Sequence, residues 1–331
     1  MLMIKVAING FGRVGRMLTR VLVNDDRFEV VGINDLAPLE TMAHLFQFDS
    51  VHGRFNGQVG SKGDSLIING KSIRYSNHQT TEACDWHSLQ PHVVFESSGK
   101  FKTYKLCSGH LAAGSQKVIL TAPPADDSMP MVVLGVNEHI LENVGPIISN
   151  ASCTTNNAAP MVQLLDQICG IESCYISTIH SYTVDQNLHD APHLDLRRAR
   201  AASQSIVPTT TGAAKALTRI FPHLALDLGG CGIRVPVPDG SLTDITCVVK
   251  KRVPADEINQ AFKAASANFD LQVLEYSDEP LVSRDIVGSP FSCVFDSQLT
   301  SVIGRMVKVV GWYDNEIGYS HRLVDLAARL V

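Results

Sequence analysis

The chain has no apolar run approaching the roughly 20 residues that a membrane-spanning helix requires, so a bilayer-crossing role has no candidate segment. It also lacks an excess of positive charge. Its 28 Lys and Arg stand against 33 Asp and Glu, a net charge of −5 and a sequence pI of about 6.2. Bulk electrostatics therefore offer nothing to nucleic acid or to an anionic membrane surface. Eight cysteines are scattered without a CxxC pair, which argues against zinc and against a secreted disulfide scaffold and fits a reducing cytosol. His189, His193 and His321 show no metal-ligand spacing, so no metal is expected. There is no internal repeat, low-complexity tract or long linker. What is present is an ordinary globular composition. The 331 residues are 45% hydrophobic with a mean hydropathy of +0.07, enough for two domains or one large α/β unit. The opening MLMIKVAING, interrupted by Lys5, is too short for a signal peptide and reads as a first strand.

That strand, Ile4 to Asn9, runs into Gly10, Phe11, Gly12, Arg13, Val14 and Gly15. Apolar residues then recur at Val14, Met17, Leu18, Val21 and Leu22, which is helical spacing. A second strand, Phe28 to Ile33, ends at Asp35, about 20 residues past the last glycine, as a dinucleotide fingerprint requires. The glycines allow a tight turn and close approach of a pyrophosphate to the helix N-terminus. Asp35 can accept hydrogen bonds from an adenosine ribose and repels a 2′-phosphate. Further short buried strands are predicted at Val93 to Glu96 and Lys117 to Leu120, with Ser97, Ser98 and Gly99 at the end of one and Thr121 to Pro124 at the end of the other. Loops at the carboxyl ends of parallel strands are where such folds place ligands. The composition turns β-branched and strand-rich beyond residue 151, at Ile171 to Thr183 and Thr246 to Arg252, and the domain change is placed there.

Asn150 to Asn156 reads NASCTTN. The stretch before Cys153 is strand-like and the residues after it, to Ile168, read as helix. Cys153 is thus expected at a helix N-terminus, where free N–H groups and the macrodipole favour a thiolate, with Ser152 capping the turn. The segment STIHSYT supplies His180; a thiolate with an imidazole as base suits attack on a carbonyl carbon. Most cysteines are inert packing residues, and a histidine on an apolar strand is often a satisfied core residue. Four anion-friendly elements follow: Thr183, the cluster Arg197, Arg198 and Arg200, the TTTG of Thr209 to Gly212 opening the helix Ala213 to Arg219, and Arg234 before VPVP. Hydroxyls at a helix start with guanidinium groups make a phosphate cradle.

Taken together, INGFGRVGR, FDSVHGRF, NASCTTN, HSYT, DLRRARAASQSIVPTTTGAAKA, RVPVPDGS and WYDNEIGYS resemble the signatures of the glyceraldehyde-3-phosphate dehydrogenase family from end to end. The resemblance implies an α/β protein: a Rossmann-type doubly wound parallel sheet (residues 1–151 plus 316–331) that binds NAD, and an α+β catalytic domain with a mixed sheet (152–315). It implies a cytoplasmic homotetramer. The final helix, Ser320 to Val331, would dock on the first domain through Leu323, Val324, Leu326 and Leu330. Cys153 resembles the nucleophile and His180 its base. Ser152, Thr154, Thr211 and Gly212, with Arg198 nearby, would bind inorganic phosphate. Thr183 and Arg234 would hold the substrate's own phosphate. Around the cofactor the resemblance places Gly10, Phe11 and Gly12 in the turn, Arg13 and Val14 as backbone pyrophosphate contacts and Asp35 at the ribose. Gln79 would lie near the adenine, Ser98 and Gly99 at a strand end, Thr121 and Asn315 in the nicotinamide pocket, and Tyr319 beside that ring.

Three positions depart from the family pattern. Asn157 stands where many members carry a second cysteine, Gln79 where an arginine often lies near the adenine, and Ala191 where NAD-selective members commonly have leucine. Because Asp35 still opposes a 2′-phosphate, NAD is expected with minor use of NADP. Two other readings stay open: a sibling erythrose-4-phosphate dehydrogenase, whose acyl-enzyme goes to water, and a catalytically idle binding or redox-sensing protein on the same scaffold.

Overall fold

The computed structural model describes residues 3–331, which divide into two compact units. The first comprises residues 1–132, 138–151 and 320–331, and the second comprises 133–137 and 152–319.

In the first unit, Ile4–Asn9 is a central strand in which Val6, Ala7 and Ile8 are wholly buried. Both faces are covered, which explains a continuous apolar run rather than an alternating one. The eight-stranded sheet runs in the order Ile147–Ser149, Lys117–Leu120, Val93–Glu96, Ile4–Asn9, Phe28–Asn34, Lys71–Ser76, Ser65–Ile68, Val59–Lys62. The first six strands are mutually parallel, Ser65–Ile68 runs antiparallel to them, and Val59–Lys62 runs antiparallel to Ser65–Ile68. Strand order reverses at Ile4–Asn9, which pairs with both Phe28–Asn34 and Val93–Glu96. That reversal is the switch point at whose carboxyl end doubly wound sheets bind ligands. Residues 320–331 pack in this unit: Leu323, Val324, Leu326 and Leu330 are buried, Lys117 Nζ donates to the Leu330 carbonyl, and Arg329 pairs with Glu138 at 3.3 Å.

The second unit is built on a mixed sheet in the order Val207–Thr209, Leu228–Val235, Ile171–Ser181, Ser241–Val249, Met306–Tyr313, Cys293–Asp296, Leu274–Ser277, with Ser301–Ile303 beside Met306–Tyr313. Along Ile171–Ser181 the period of two puts Cys174, Ile176, Thr178 and His180 on the buried face, with Tyr175, Ser177 and Ile179 on the other. Cys153–Cys169 is a helix that closes at Gly170, whose φ of +65° is a left-handed stop.

The partition differs from the expected boundaries at two places. Glu316 to Tyr319 belong to the second unit, because the Asp314 carboxylate accepts from the Glu316 and Ile317 amides at 2.8 and 2.7 Å and ties the first turn of the last helix to the preceding strand. Residues 133–137 also belong to the second unit: the φ of Gly135 is +81° and a side chain there would meet the Phe269 ring at 2.8 Å.

Candidate active site

The glycine-rich turn shows three separate uses of glycine. Gly10, at φ +95°, lies so close to the next strand loop that a Cβ would sit 2.4 Å from the Ser98 amide nitrogen. Gly15 packs against the Gly10 carbonyl, which a Cβ would meet at 2.1 Å. Gly12 has open space where its side chain would be, and the helix Arg13–Leu22 that follows has no side-chain cap. An anion can therefore approach that N-terminus. Asp35 reaches the same turn, where its Oδ2 accepts from the Phe11 amide at 2.6 Å and its Oδ1 from Ala37 at 2.9 Å. The open cradle at Gly12 with a carboxylate beside it fits a dinucleotide. Arg13 turns its side chain away to a bidentate pair with Asp49, at 2.5 and 3.1 Å, leaving only its backbone to the turn. Gln79 is exposed and Gly99 adopts φ +72°. Thr121 donates its hydroxyl to the Glu96 carbonyl at 3.1 Å.

In the second unit, Ser152 caps the helix Cys153–Cys169, its Oγ accepting from the Thr155 amide at 3.0 Å. Just before it, Ala151 holds φ +54°, a left-handed conformation that costs an L-residue about 1 kcal/mol or more and turns the chain sharply from strand to helix. Cys153 follows Ser152, and its Sγ lies 3.7 Å from Nε2 of His180. Nδ1 of His180 lies 2.7 Å from the Ser181 carbonyl, a contact that fixes the ring and leaves Nε2 facing the sulfur.

Helix position is not the only influence on the sulfur. Burial pushes the Cys153 thiol up to about 11, against a lesser downward pull from Arg234 and the Thr154 amide and hydroxyl. Burial, then Arg234, hold the His180 imidazole down to about 3. Charge on either group alone is opposed, whereas moving the proton from Sγ to Nε2 creates two opposite charges that stabilise each other. At about 4 Å and an effective dielectric near 20 that attraction is about 4 kcal/mol. An ionised sulfur here depends on His180 as acceptor.

Around this pair the chain gathers cations and hydroxyls. Arg234 Nη1 lies 2.9 Å from His180 Nδ1 and donates to the Ser181 carbonyl at 3.1 Å and to Thr183 Oγ1 at 3.2 Å. Asp185 joins Thr183 and Arg198, which both donate to its carboxylate. Burial raises that carboxyl, but the Thr183 hydrogen bond and the charges of Arg234 and Arg198 prevail and hold it below the usual range. Arg198 also donates to Thr209 Oγ1 at 3.0 Å and the Thr210 carbonyl at 3.3 Å. Thr211 Oγ1 accepts from the Ala213 amide at 3.2 Å at the start of the helix Ala213–Ile220, and Gly212 beside it is open.

The description "Glyceraldehyde 3-phosphate dehydrogenase, NAD binding domain" matches residues 4–104, and "Glyceraldehyde 3-phosphate dehydrogenase, C-terminal domain" matches residues 152–315. Glyceraldehyde-3-phosphate dehydrogenase 2 of Bacillus subtilis is 50% identical over 98% of this chain and 95% of its own length. The enzymes of that name from Geobacillus stearothermophilus and Mycobacterium tuberculosis are 47% and 48% identical, each over 98% of this chain and 97% of the relative. The chain belongs to the glyceraldehyde-3-phosphate dehydrogenase family.

Not every expected glyceraldehyde-3-phosphate dehydrogenase residue presents its side chain openly. Thr154 turns its hydroxyl inward to Tyr313, at 2.9 Å, while that hydroxyl and the Thr154 amide both reach the Cys153 sulfur. Asn315 and Tyr319 lie in the second unit and Thr121 in the first. The Asn315 carbonyl oxygen accepts from both Ser181 Oγ, at 2.9 Å, and Ser241 Oγ, at 2.7 Å. This clamp aims its amide as a donor. Tyr319 is buried, and burial raises its hydroxyl well above the ordinary value.

Sequence reading missed several positioning residues. Ser241 and Tyr313 sit inside quoted motifs, yet nothing local says which partner each hydroxyl meets. Asp185, two residues after Thr183, gave a charge signal that was not used. Glu96 is 1% exposed and carries four donors, from the Asn9 side chain at 2.5 Å, the Ser98 amide and hydroxyl at 2.8 and 2.5 Å, and His110 Nε2 at 2.9 Å. Because Trp86 Nε1 can only donate, and does so to His110 Nδ1 at 3.0 Å, the ring is fixed as the Nε2–H tautomer. This network holds the Ser98 loop against the Gly10 turn.

Proposed function

We propose that the protein catalyses the phosphorylating oxidation of D-glyceraldehyde 3-phosphate to 1,3-bisphosphoglycerate with NAD+. The observation that carries the reading is the 3.7 Å approach of Cys153 Sγ to His180 Nε2 beside Arg234 and Thr183. The relatives bear the name of this activity.

Cys153 Sγ adds to the aldehyde carbon while its proton passes to His180 Nε2, forming a thiohemiacetal. Thr183 and Arg234 hold the substrate's phosphate; a bidentate guanidinium suits that dianion. The Cys153 backbone N–H, at the first turn of its helix, stabilises the oxyanion. His180 returns the thiol proton to that oxyanion, giving the thiohemiacetal hydroxyl, and, neutral again, takes it back as the carbonyl reforms. When bound, NAD+ supplies the acceptor for the departing hydride. The substrate remains joined to Sγ as a thioester, which conserves the energy of oxidation. Inorganic phosphate, held by Ser152, Thr211, Gly212, the Thr154 amide and Arg198, attacks the acyl carbon and releases the acyl phosphate with Cys153 regenerated. On the cofactor side, in the first unit, Asp35 receives the ribose and the turn Gly10 to Val14 the pyrophosphate; in the second, the clamped Asn315 offers its amide to the nicotinamide.

We assign a homotetramer and a cytoplasmic location to the same reading. Val184, Leu188, Leu194, Leu196 and Ile206 are all strongly exposed in the segment 183–206. So much open apolar surface on one loop is the kind another subunit covers. All eight cysteines are free thiols, as a reducing compartment requires, and among the described residues no helix is long and apolar enough to cross a membrane.

A rate matrix tests the reading: NADH formation with glyceraldehyde 3-phosphate or erythrose 4-phosphate, each with and without phosphate. Strict phosphate dependence and preference for the triose are expected. Phosphate-independent turnover of the tetrose would favour the sibling enzyme, and no turnover would favour an idle scaffold.

A further inference from the structure

Away from the catalytic pair, two thiols meet across neighbouring strands of the second unit. Cys174 on Ile171–Ser181 is directly opposite Cys247 on Ser241–Val249 in antiparallel register. The S–H of Cys247 donates to Cys174 Sγ at 3.1 Å. Directly paired antiparallel residues have Cα atoms about 4.5 to 5.5 Å apart, and disulfides span about 4.4 to 6.8 Å, so register alone places this pair within bonding reach. Cys174 is 5% exposed and Cys247 fully buried. Cys174 is thus the sulfur of the pair nearer solvent, the one a molecule as small as peroxide meets first.

We propose that Cys174 and Cys247 form a reversible thiol–disulfide site, oxidised by hydrogen peroxide, that locks the two central strands of the catalytic sheet. Cys174, the less buried of the two, gives up its proton and attacks one peroxide oxygen, forming a sulfenic acid and releasing water. Cys247 sulfur then displaces the sulfenic oxygen as a second water, carrying off its own proton. Two thiols lose two protons and two electrons, and the peroxide becomes two waters. The step is available only under oxidative load, since a thiol reductant reverses it.

The lock lies at the end of the strands remote from the chemistry. His180 is six residues beyond Cys174, and Ser241 six before Cys247, about 20 Å at strand rise. The cross-link therefore acts on unfolding and not on the Cys153 site. It closes a long loop in the unfolded chain, which favours the folded state.

The test uses the full-length protein with Cys153 first capped by iodoacetamide, then exposed to hydrogen peroxide, denatured in N-ethylmaleimide so that every remaining thiol is trapped, and digested. Mass spectrometry should find the Cys174 peptide joined to the Cys247 peptide, two hydrogens lighter than their sum and separated by dithiothreitol. The oxidised wild type should melt several degrees above the reduced form, a rise absent from Cys174→Ala and Cys247→Ala. Recovery of both sulfurs as maleimide adducts, under conditions that fully oxidise uncapped Cys153, would overturn the proposal. So would a Cys174 linked mainly to Cys169. The peptide map on wild type decides the matter even if an alanine variant fails to fold.

Discussion

Arg234 Nη1 stands 2.9 Å from Nδ1 of His180, so the guanidinium proposed to receive phosphate also presses on the imidazole proposed as the base. Its charge lowers both the His180 imidazole and the Cys153 thiol. In Arg234→Leu the thiol should therefore need a higher pH to ionise, and the imidazole should move up toward its ordinary range. Iodoacetamide alkylation followed against pH should show its midpoint displaced upward, alongside a large rise in KM for the phosphorylated aldehyde. An unmoved midpoint would separate Arg234 from the pair electrostatically.

His180→Asn removes the proton acceptor 3.7 Å from the sulfur. Since burial already pushes the thiol up, the variant should alkylate more slowly at neutral pH. Its acylation should fall by about 10² to 10⁴-fold, the range for loss of a general base. NAD affinity, measured by calorimetry, should be nearly unchanged. Cys153→Ser that kept full phosphorylating activity would end the proposed mechanism.

Ser241→Ala strips one of the two hydroxyls clamping Asn315. Loss of a buried hydrogen bond costs about 1 to 3 kcal/mol, so the KM for NAD should rise by roughly tenfold while iodoacetamide reactivity of Cys153 stays near wild type. Equal loss in both would point to general misfolding of the unit.

Asp49 governs acid stability near the cofactor turn. Burial raises its carboxyl, but the His52 amide, Arg13 and the Val51 amide prevail and bring it to about 2. A carboxyl lowered in the folded state contributes stability above its unfolded value, near pH 4, and loses it as pH falls through about 2. The shift corresponds to about 2 kcal/mol. Asp49→Asn should cost about that much at pH 7 and flatten the stability profile between pH 4 and 2 in urea titrations.

Asp35 sits at the carboxyl end of its strand with its oxygens on the Phe11 and Ala37 amides. A 2′-phosphate would bring negative charge against it, so kcat/KM should favour NAD, with NADP a minor cofactor. A preference for NADP of about a hundredfold in initial rates would refute this reading.

The sequence by itself determined the parts whose physics is local. Strand, glycine turn, helix and Asp35 follow one another along a single stretch, and Ser152 and Cys153 share one helix start, so spacing and residue type suffice to find them. Only the tertiary structure decided what depends on chain segments far apart: that burial opposes a free-standing thiolate at Cys153, that Thr154 faces Tyr313, that Ser181 and Ser241 clamp Asn315, and that Cys174 meets Cys247. Desolvation and hydrogen-bond pairing are set by what packs around a group. A one-dimensional pattern carries that information only after folding has chosen the neighbours.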